Sequence, residues 1–568
     1  MSIRLWQLVV PMVLMLLPDG DVWAGDAVFD REWLRLTTPR LELITDLDRA
    51  SATVLLGRLN RFEDVVGHLL ADEQLSATRN ARVKLLVFSR RRDYQAVFAT
   101  RGFAGFLLAT LREDVLIVGP DLGGQHLVEN AMHEYAHFLL RHHGSALHPL
   151  WYEEGFASLL SSLVLDGDSV LLGDRNKHDA ATLHFADRDG RFINDAVSHV
   201  RARYVYSASS VDTQGTSLAF LVRVTSLDDV ERDAVGDFYS RAWLLLHLCR
   251  LGHLAGFPDR RAALDDYLHR IGNGAESEAA FAAAFSEGFH AVERDLETYA
   301  KRVELPTLRF AVARSVSAER PTAAQLNATD LAFELGLVSA EMNPRFAARA
   351  FRRVGKGAAG DARAVVGRAI LHRQQGRLRN ALAEARVALS MDGTAPLNRL
   401  ILADVLLESC PANRSEVCRM QRREAQTLYR QVVDAYPERR DALFGLGVSC
   451  FLLGDNECAL VHLQTAHVLA PWAPRISLFL GEALRLAGDS VASERHLRRA
   501  ARWEQDAVWR RKAVHALALV PERALTDHDS GLGSPGEGQG PPEKAGPLDG
   551  DLRGFKSDDE RNRTNLES

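Results

Sequence analysis

A repeat of 34 residues in the second half of the chain constrains the fold more than any other feature of the sequence. Four small or apolar residues recur at this one offset, as the pairs Gly447 and Gly481, Gly454 and Gly488, Leu463 and Leu497, and Ala466 and Ala500. A fixed period of this length is typical of helix pairs that are too small to bury a core alone and therefore stack on their neighbours. We expect an all-helical solenoid over residues 322–510.

The residue types within each period resemble the tetratricopeptide repeat (TPR), which is a helix–turn–helix unit. The matching positions of one unit are Gly447, Ala459, Leu463, Ala466 and Pro471. Weaker units precede it and are marked by Ala425, Tyr429 and Pro437, by Ala381 and Ala388, and by Ala347 and Phe351. The resemblance implies about five repeats that bind a protein partner or position a substrate. A generic run of amphipathic helices is the alternative, and it leaves the shared offset unexplained.

The chain before the repeats mixes strand and helix periods, which predicts a separate α+β domain with a mixed sheet at residues 25–310. Short apolar runs bounded by turn residues predict strands at 41–44, 83–88 and 115–118. Apolar residues at helical spacing predict helices over 50–70 and over about 124–142. The polar and irregular stretch 165–230 shows no clear period.

Both ends of the chain differ in composition from the parts between them. Residues 1–24 combine Arg4, an apolar run over 5–17 and the small residue Ala24. This order predicts a cleaved signal peptide, because the run is shorter than the ~20 residues that span a membrane. An uncleaved signal anchor is the alternative. We expect an exported protein, periplasmic or extracellular, with a disordered tail at 524–568, where Gly, Pro and charged residues dominate.

The charge balance and the cysteine count narrow the function classes. With 69 basic and 75 acidic residues the net charge is −6 at pH 7, so we expect no nucleic-acid partner. No stretch beyond residues 1–24 reaches the length of a membrane span, so we also expect no stable span after signal cleavage. Five cysteines are too few for a disulfide scaffold, although export permits disulfides. Cys410 and Cys418 bracket a loop-forming segment and are the favoured pair, while Cys450 and Cys458 could also meet. Cys249 is expected to be a buried small apolar residue.

One short segment contains the residue types of a catalytic metal site. Residues 133–137 read His-Glu-Tyr-Ala-His, and residues four apart on a helix lie on one face, about 5–6 Å from each other. His133 and His137 can therefore reach one metal ion, while Glu134 lies toward the open side and can hold a water molecule there. A surface helix with two solvated histidines is the alternative, since so short a pattern also arises by chance.

A catalytic zinc ion needs a third protein ligand and one open position. His143 follows His137 by the spacing of the metzincins, but the glycine on which the metzincin turn depends is missing here. The favoured candidate is Glu154, which a second helix would present to the metal, with Gly155 permitting close approach of the helix backbones. Glu153 is expected to face solvent on that helix.

The segment HEYAH and the segment WYEEGFA at 151–157 resemble the gluzincin metallopeptidases, in particular the peptidase MA-like group. The resemblance implies a zincin-like α+β fold and a zinc-dependent peptide hydrolase. The implied site residues are His133, His137 and Glu154 as zinc ligands and Glu134 as general base. The run 115–118 resembles the edge strand along which such enzymes align a peptide. Ser158 stands where thermolysin-like enzymes have an aspartate, and the amine-binding motif of the related aminopeptidases is absent, so aminopeptidase activity is not implied.

Gluzincins commonly stabilise the oxyanion of the reaction with a Tyr or His from a later helix. Tyr239, just before an apolar helical run, fits this role best. The weaker candidates are Tyr204, Tyr206 and His247. His142 and His148 are expected to lie in surface loops. The sequence thus predicts an exported zinc metallopeptidase with a TPR-like module for a protein partner or substrate. The alternative is a non-catalytic interaction protein in which the repeats act and the metallopeptidase domain is degenerate.

Overall fold

The computed structural model describes most of the chain between residues 26 and 521, namely 26–70, 82–99, 105–120, 127–142, 148–174, 217–225, 230, 235–302, 304–313, 321–357, 360–410 and 415–521. The predicted signal peptide at 1–24 and the predicted tail at 524–568 lie outside these residues. The chain divides into two compact units, Met1–Leu331 and Ala332–Ser568. Among the described residues, no helix is both long and apolar enough to cross a membrane.

Strands occur only in the first unit of the described chain. They are β1 (Trp33–Thr37), β2 (Leu41–Thr45), β3 (Val83–Val87), β4 (Gly105–Ala109), β5 (Asp114–Val118), β6 (Val164–Asp166), β7 (Ser169–Leu172), β8 (Leu308–Ala311) and β9 (Thr322–Leu326). Six of them form a sheet in the order β4-β5-β3-β2-β1-β9, and β6, β7 and β8 form a second sheet. In the larger sheet β3 is parallel to β2 and to β5, whereas the other neighbours are antiparallel. The mixed sheet expected before the repeats is therefore present.

β5 lies inside the larger sheet. All five of its residues are buried, which agrees with the continuous apolar pattern of a strand covered on both faces. The expectation that 115–118 is an edge strand is wrong, because β4 pairs antiparallel with β5 and sets Phe106 opposite Ile117. β4 is the outermost strand at this side of the described sheet. The local pattern misled here because it shows that a strand is buried but not which neighbour lies outside it.

The strand at the opposite side of this sheet comes from a distant part of the chain. β9 pairs antiparallel with β1, so that Leu326 lies opposite Trp33. The helical region was expected to begin at residue 322, yet its first helix begins at Ala328. Most residues of β9 are exposed or half-buried, so its strand conformation depends on pairing with β1 more than on any apolar signal of its own.

Helices complete the described part of the first unit. They are α1 (Arg49–Leu69), α2 (Arg91–Phe98), α3 (Leu127–His142), α4 (Leu150–Ser161), α5 (Leu218–Arg223), α6 (Val235–Leu251), α7 (Arg261–Gly272), α8 (Ser277–Ala284) and α9 (Phe289–Ala300), with 3-10 segments at Asp26–Asp30 and Gly252–Ala255. α3 packs against α1, β4 and β5, and α4 packs between α3 and α6. The elements that carry the predicted site residues are thus direct neighbours.

The region after β9 is wholly helical where the structure describes it. Its helices are α10 (Ala328–Ser339), α11 (Pro344–Gly357), α12 (Ala362–Gln374), α13 (Leu378–Met391), α14 (Pro396–Glu408), α15 (Glu416–Ala435), α16 (Arg440–Leu453), α17 (Asn456–Leu469), α18 (Pro474–Ala487), α19 (Ser490–Trp503) and α20 (Ala507–Ala518). From α13 onward each helix packs on the one before and the one after it. Their buried side chains form one continuous apolar cluster, as expected of a TPR-like solenoid.

The repeated residues make the same contacts in successive units. A Cβ on Gly447 would lie 2.7 Å from Cγ of Leu463, and a Cβ on Gly481 would lie 2.7 Å from Cγ of Leu497. Glycine therefore leaves the space that the facing leucine occupies between the two helices of each unit. Gly454 and Gly488, with φ of 84° and 88°, end the first helix of each unit in the left-handed conformation that favours glycine.

Two disulfide bonds join neighbouring helices in this region. The predicted bond between Cys410 and Cys418 is confirmed, with Cα atoms 5.3 Å apart. Cys450 and Cys458 are also bonded, with Cα atoms 5.8 Å apart. Cys249 is free and buried, as expected. Each bond closes a short loop across a helix–helix connection.

Candidate metal centre

The two histidines of the HExxH motif lie on one side of α3. Apolar residues occupy the other sides, and Ala131, Ala136 and Phe138 are fully buried, so packing determines how the helix is rotated. The rings of His133 and His137 lie 4.9 Å apart at 78°. Their Nε2 atoms are 3.3 Å apart. One turn of helix therefore brings two imidazole nitrogens to one point.

The third predicted ligand comes from α4. Oε2 of Glu154 lies 3.5 Å from Nε2 of His133 and 3.4 Å from Nε2 of His137. These three ligand atoms form a nearly equilateral triangle. In the described part of the chain they are the group of His, Cys, Asp or Glu side chains that meets the geometric requirement for holding a metal ion.

The chemistry of this triangle fits a zinc ion. A tetrahedral zinc ion with ligands at about 2.0–2.1 Å separates its ligand atoms by roughly 3.3–3.4 Å, close to the separations of the three atoms. Oε2 of Glu154 is buried, and the two Nε2 atoms at 3.4–3.5 Å are its neighbours in the triangle. Burial raises the pKa of Glu154, but His137 and His133 outweigh it and hold that pKa well below the usual range. The residues present therefore offer an anionic oxygen and two imidazoles to a cation.

The side chain of Glu134 extends from α3 toward the edge strand β4. It accepts a hydrogen bond from the backbone N–H of Leu107, and burial raises its pKa to about 7 against the opposing effect of His133. A Cβ on Gly105 would lie 3.0 Å from Cγ and 3.2 Å from Oε1 of Glu134. The carboxylate thus fills the space that the missing side chain of Gly105 leaves.

Tyr239 enters the same site from α6. Its hydroxyl group hydrogen-bonds to Glu154, and burial, followed by the charges of Glu154 and Glu134, raises its pKa well above the usual range. Its ring centroid lies 6.3 Å from that of His133. The structure therefore brings together all five residues predicted for the site: His133, Glu134, His137, Glu154 and Tyr239.

Close packing of α4 on α6 sets the distance between Glu154 and Tyr239. A Cβ on Gly155 would lie 2.6 Å from the backbone O of Ala242. The prediction that Gly155 permits close approach of helix backbones is confirmed. Any larger residue at this position would separate the helix that carries Glu154 from the helix that carries Tyr239.

Two expectations about residues near the site are wrong. Glu153 is not a solvated acid, because its side chain is only 12% exposed and Oε2 lies 3.3 Å from Nη2 of Arg141. His142 is not in a surface loop, because it ends α3, is buried, and its Nε2 lies 3.0 Å from Oδ2 of Asp114. The sequence did not indicate Asp114 and Arg141, because each contacts a residue that is distant along the chain. Asp114 contacts His142, and Arg141 contacts Glu153. One feature of the sequence could have indicated them: each is a charged residue next to an apolar run. A charged side chain that is buried there needs a partner of opposite charge.

The remaining candidates lie elsewhere or outside the described residues. His247 is buried and bonds to Tyr299 at 2.8 Å and to the backbone O of Gly173 at 3.1 Å. His148 lies in a loop just before α4, as expected, where it is half-buried with its ring 5.1 Å from that of Tyr152. His143, Tyr204 and Tyr206 lie outside the described residues.

The comparisons with known proteins identify the repeats. The family model described as tetratricopeptide repeat matches residues 421–466, so the TPR prediction is confirmed for the C-terminal part of the chain. The comparison with curated proteins finds no match. The resemblance to the gluzincin peptidases stays a prediction.

Several solved structures are similar to part of the chain at low identity. A thermophilic TPR protein of Thermus thermophilus is 19% identical, with a TM-score of 0.28, and the match covers 34% of this chain and 100% of that one. YrrB, a TPR protein with an unusual peptide-binding site, is 15% identical, with a TM-score of 0.26 and coverage of 33% and 91%. The pilF protein of Pseudomonas aeruginosa is 18% identical, with a TM-score of 0.28 and coverage of 35% and 91%.

Proposed function

We propose that the protein is an exported zinc metallopeptidase with a zincin-like catalytic domain and a TPR module that binds a protein partner or substrate. The observation that carries the proposal is the triangle of His133 Nε2, His137 Nε2 and Glu154 Oε2, with sides of 3.3–3.5 Å. Two imidazoles and one carboxylate suit zinc better than calcium or magnesium, which prefer oxygen ligands. A set of three protein ligands leaves one position open for chemistry.

In this proposal the metal ion and the residues around the triangle have different roles in hydrolysis. A zinc ion bound there supplies Lewis acidity, which polarises a carbonyl group and acidifies a water molecule. Glu134 accepts the proton of the attacking water and later donates it to the leaving amine. Its side chain packs against Gly105 of β4, and the charges of His133 and Glu154 act on its carboxylate, which supports this role.

Tyr239 is proposed as the second donor to the oxyanion. Its hydroxyl group donates to Glu154, so it lies at the proposed metal ligands, where it would be available as a donor to the oxyanion. A donor preorganised in a buried site contributes about 2.7–4 kcal/mol to lowering a barrier in comparable hydrolases.

The edge strand β4 is proposed to align the substrate. Leu107 pairs with Leu116 of β5 on one side and donates its backbone N–H to Glu134. An extended peptide that adds to this edge would therefore lie beside the base and the triangle.

A second candidate function is a non-catalytic interaction protein in which the repeats act. The match of residues 421–466 to the tetratricopeptide repeat supports it, because such repeats commonly form binding surfaces. This candidate predicts that biological activity survives loss of Glu134 and is lost when the repeats are deleted.

One experiment separates the two candidates. The full chain is purified, its zinc content is measured, and hydrolysis of a peptide library is compared for wild type, Glu134→Gln and the matched control Glu129→Gln on the same helix. We expect about one zinc per chain in all three proteins and a loss of hydrolysis of about 10²–10⁴-fold in Glu134→Gln alone. Absence of zinc from the wild-type protein would overturn the metal centre, and equal hydrolysis by wild type and Glu134→Gln would overturn the role of Glu134.

A further inference from the structure

Basic side chains meet between two consecutive repeats, far along the chain from the HExxH motif. His467 lies in the last turn of α17, and His496 and Arg499 lie on α19. The two imidazole rings are 4.8 Å apart and nearly perpendicular, at 85°. Arg499 and Arg495 act electrostatically on both rings. Stacking of the repeats therefore gathers four basic groups at one place.

Much of the hydrogen-bonding capacity of this cluster is unused. Nδ1 of His467, Nδ1 of His496 and Nε of Arg499 are buried and have no hydrogen-bond partner in the described parts of the chain. Arg499 is only 7% exposed. Its hydrogen bond within the described residues goes to the backbone O of Pro471, and none of its partners there is a carboxylate.

Another buried arginine of this protein shows what Arg499 lacks. Arg260 is 2% exposed and donates to Glu287 and Asp295. Burial lowers the pKa of Arg260, but the bonds to these two acids outweigh burial and raise that pKa. At Arg499 burial acts alone and lowers the pKa to about 10. The guanidinium group of Arg499 is therefore a buried cation without a counter-ion among the described residues.

A buried charge without a partner costs several kcal/mol of folding free energy, so such groups are generally paired. We propose that Arg499, His496 and His467 form a binding site for a phosphate group, either inorganic phosphate or the phosphoryl group of a small phosphomonoester. Phosphate supplies negative charge and several acceptor oxygens. The guanidinium group of arginine presents donors in a geometry that matches the oxygens of a phosphate group. Arg495, exposed on the same helix, adds charge at the rim.

The site couples anion binding to proton uptake. Burial, with smaller effects of His496 and the arginines of α19, lowers the pKa of His467 to about 3. Burial and the same arginines lower the pKa of His496 to about 4, against the opposing effect of Asp489. A bound anion stabilises the protonated rings and raises both pKa values. Binding of an anion whose own charge is constant is therefore tighter at lower pH.

The test is titration calorimetry of the full chain with inorganic phosphate and with glycerol phosphate, which distinguishes the free ion from a phosphomonoester. Arg499→Gln is compared with the matched control Arg498→Gln, which removes a neighbouring arginine that is 46% exposed and paired with Glu494. We expect Arg499→Gln to weaken phosphate affinity at least about tenfold and Arg498→Gln to leave it unchanged. Sulfate, which stays a dianion, should bind more tightly at about pH 5 than at about pH 7.5.

A second measurement keeps the test independent of the fold of the variant. In the wild-type protein, NMR signals of the His467 and His496 rings should shift with saturable dependence on phosphate, and their pKa values should rise. Without phosphate, Arg499→Gln should not lower the unfolding temperature, because it removes an unpaired buried charge. The proposal is overturned if wild type does not bind phosphate, if both arginine variants bind equally, or if the ring signals do not respond.

Discussion

Two pairs of histidines, one in each unit, have nearly the same internal geometry. The rings of His133 and His137 are 4.9 Å apart at 78°, and those of His467 and His496 are 4.8 Å apart at 85°. The third group differs, because Glu154 lies beside the first pair and Arg499 acts on the second. A negatively charged carboxylate beside two imidazoles favours binding of a cation, whereas a positively charged guanidinium group beside them favours binding of an anion. The charge of the neighbour, rather than the arrangement of the rings, therefore distinguishes the two proposed sites.

The largest expected effect comes from removing the charge that defines the first site. Glu154→Gln keeps the shape of the side chain but removes the anionic ligand. We expect zinc affinity to fall by about 10³-fold, more than the 10–100-fold typical for loss of a residue that only supports a ligand. Competition with a chromophoric chelator measures this affinity.

The neighbouring acid provides the control for that prediction. Glu153→Gln removes the partner of Arg141 and should leave zinc affinity within a few-fold of wild type. Equal loss of zinc in the Glu153 and Glu154 variants would show that Glu154 is not the acid that binds zinc together with His133 and His137.

The second prediction concerns the disulfide bonds, which the structure places in the repeats. Each bond closes a loop with a sequence separation of 8, for which the loss of chain entropy predicts about 2–3 kcal/mol of stabilisation. Double replacement of Cys450 and Cys458 by Ser should lower the free energy of unfolding of the helical region by this amount, measured by denaturant titration with circular dichroism. Zinc content should not change, and a parallel loss of zinc would contradict the assignment of metal and disulfides to different regions.

The third prediction tests the packing that brings the third ligand to the histidines. Gly155→Ala puts a methyl group 2.6 Å from the backbone O of Ala242, which should lower the free energy of unfolding by about 1–3 kcal/mol. Thermal unfolding measures the change. Gly57→Ala is the control, because no atom lies within 4 Å of its Cβ position and alanine favours a helix interior. Equal stability of the two variants would contradict the close approach of α4 and α6.

The smallest expected effect concerns the base. Gly105→Ala puts a methyl group 3.0 Å from Cγ of Glu134 and should displace the carboxylate by a few tenths of an ångström. We expect kcat for peptide hydrolysis to fall about tenfold, equivalent to about 1.4 kcal/mol, with zinc content unchanged. Gly236→Ala, which has no atom within 4 Å of its Cβ position, is the control. A change in zinc content would show that Gly105 supports the ligands rather than the base.

The prediction of the first site depended on the spacing of residues within one helix. His133 and His137 are one helical turn apart on α3, so their rings share a face whatever the helix packs against. The recurrence of Gly447 as Gly481 likewise indicated the solenoid before any contact was known. In both cases the relevant partners lie within one helix or one repeat.

Long-range pairing limited the prediction elsewhere. The order of β4 and β5, the pairing of β9 with β1, and the partners of Glu153 and His142 all join segments that are separated along the chain. An apolar run reports that a segment is buried, but it does not report which segment covers it. The edge strand, the ion pair of Arg141 with Glu153 and the contact of His142 with Asp114 were therefore missed.

The sequence by itself determined the helical repeat, one candidate disulfide and the spacing of two imidazoles on one helix, because each depends on a fixed period of the backbone. Only the tertiary structure decided that Glu154 and Tyr239 meet those imidazoles, since they come from two further helices held together at Gly155. It also decided that His467 meets His496, because these residues lie on different helices and only stacking of the repeats joins them.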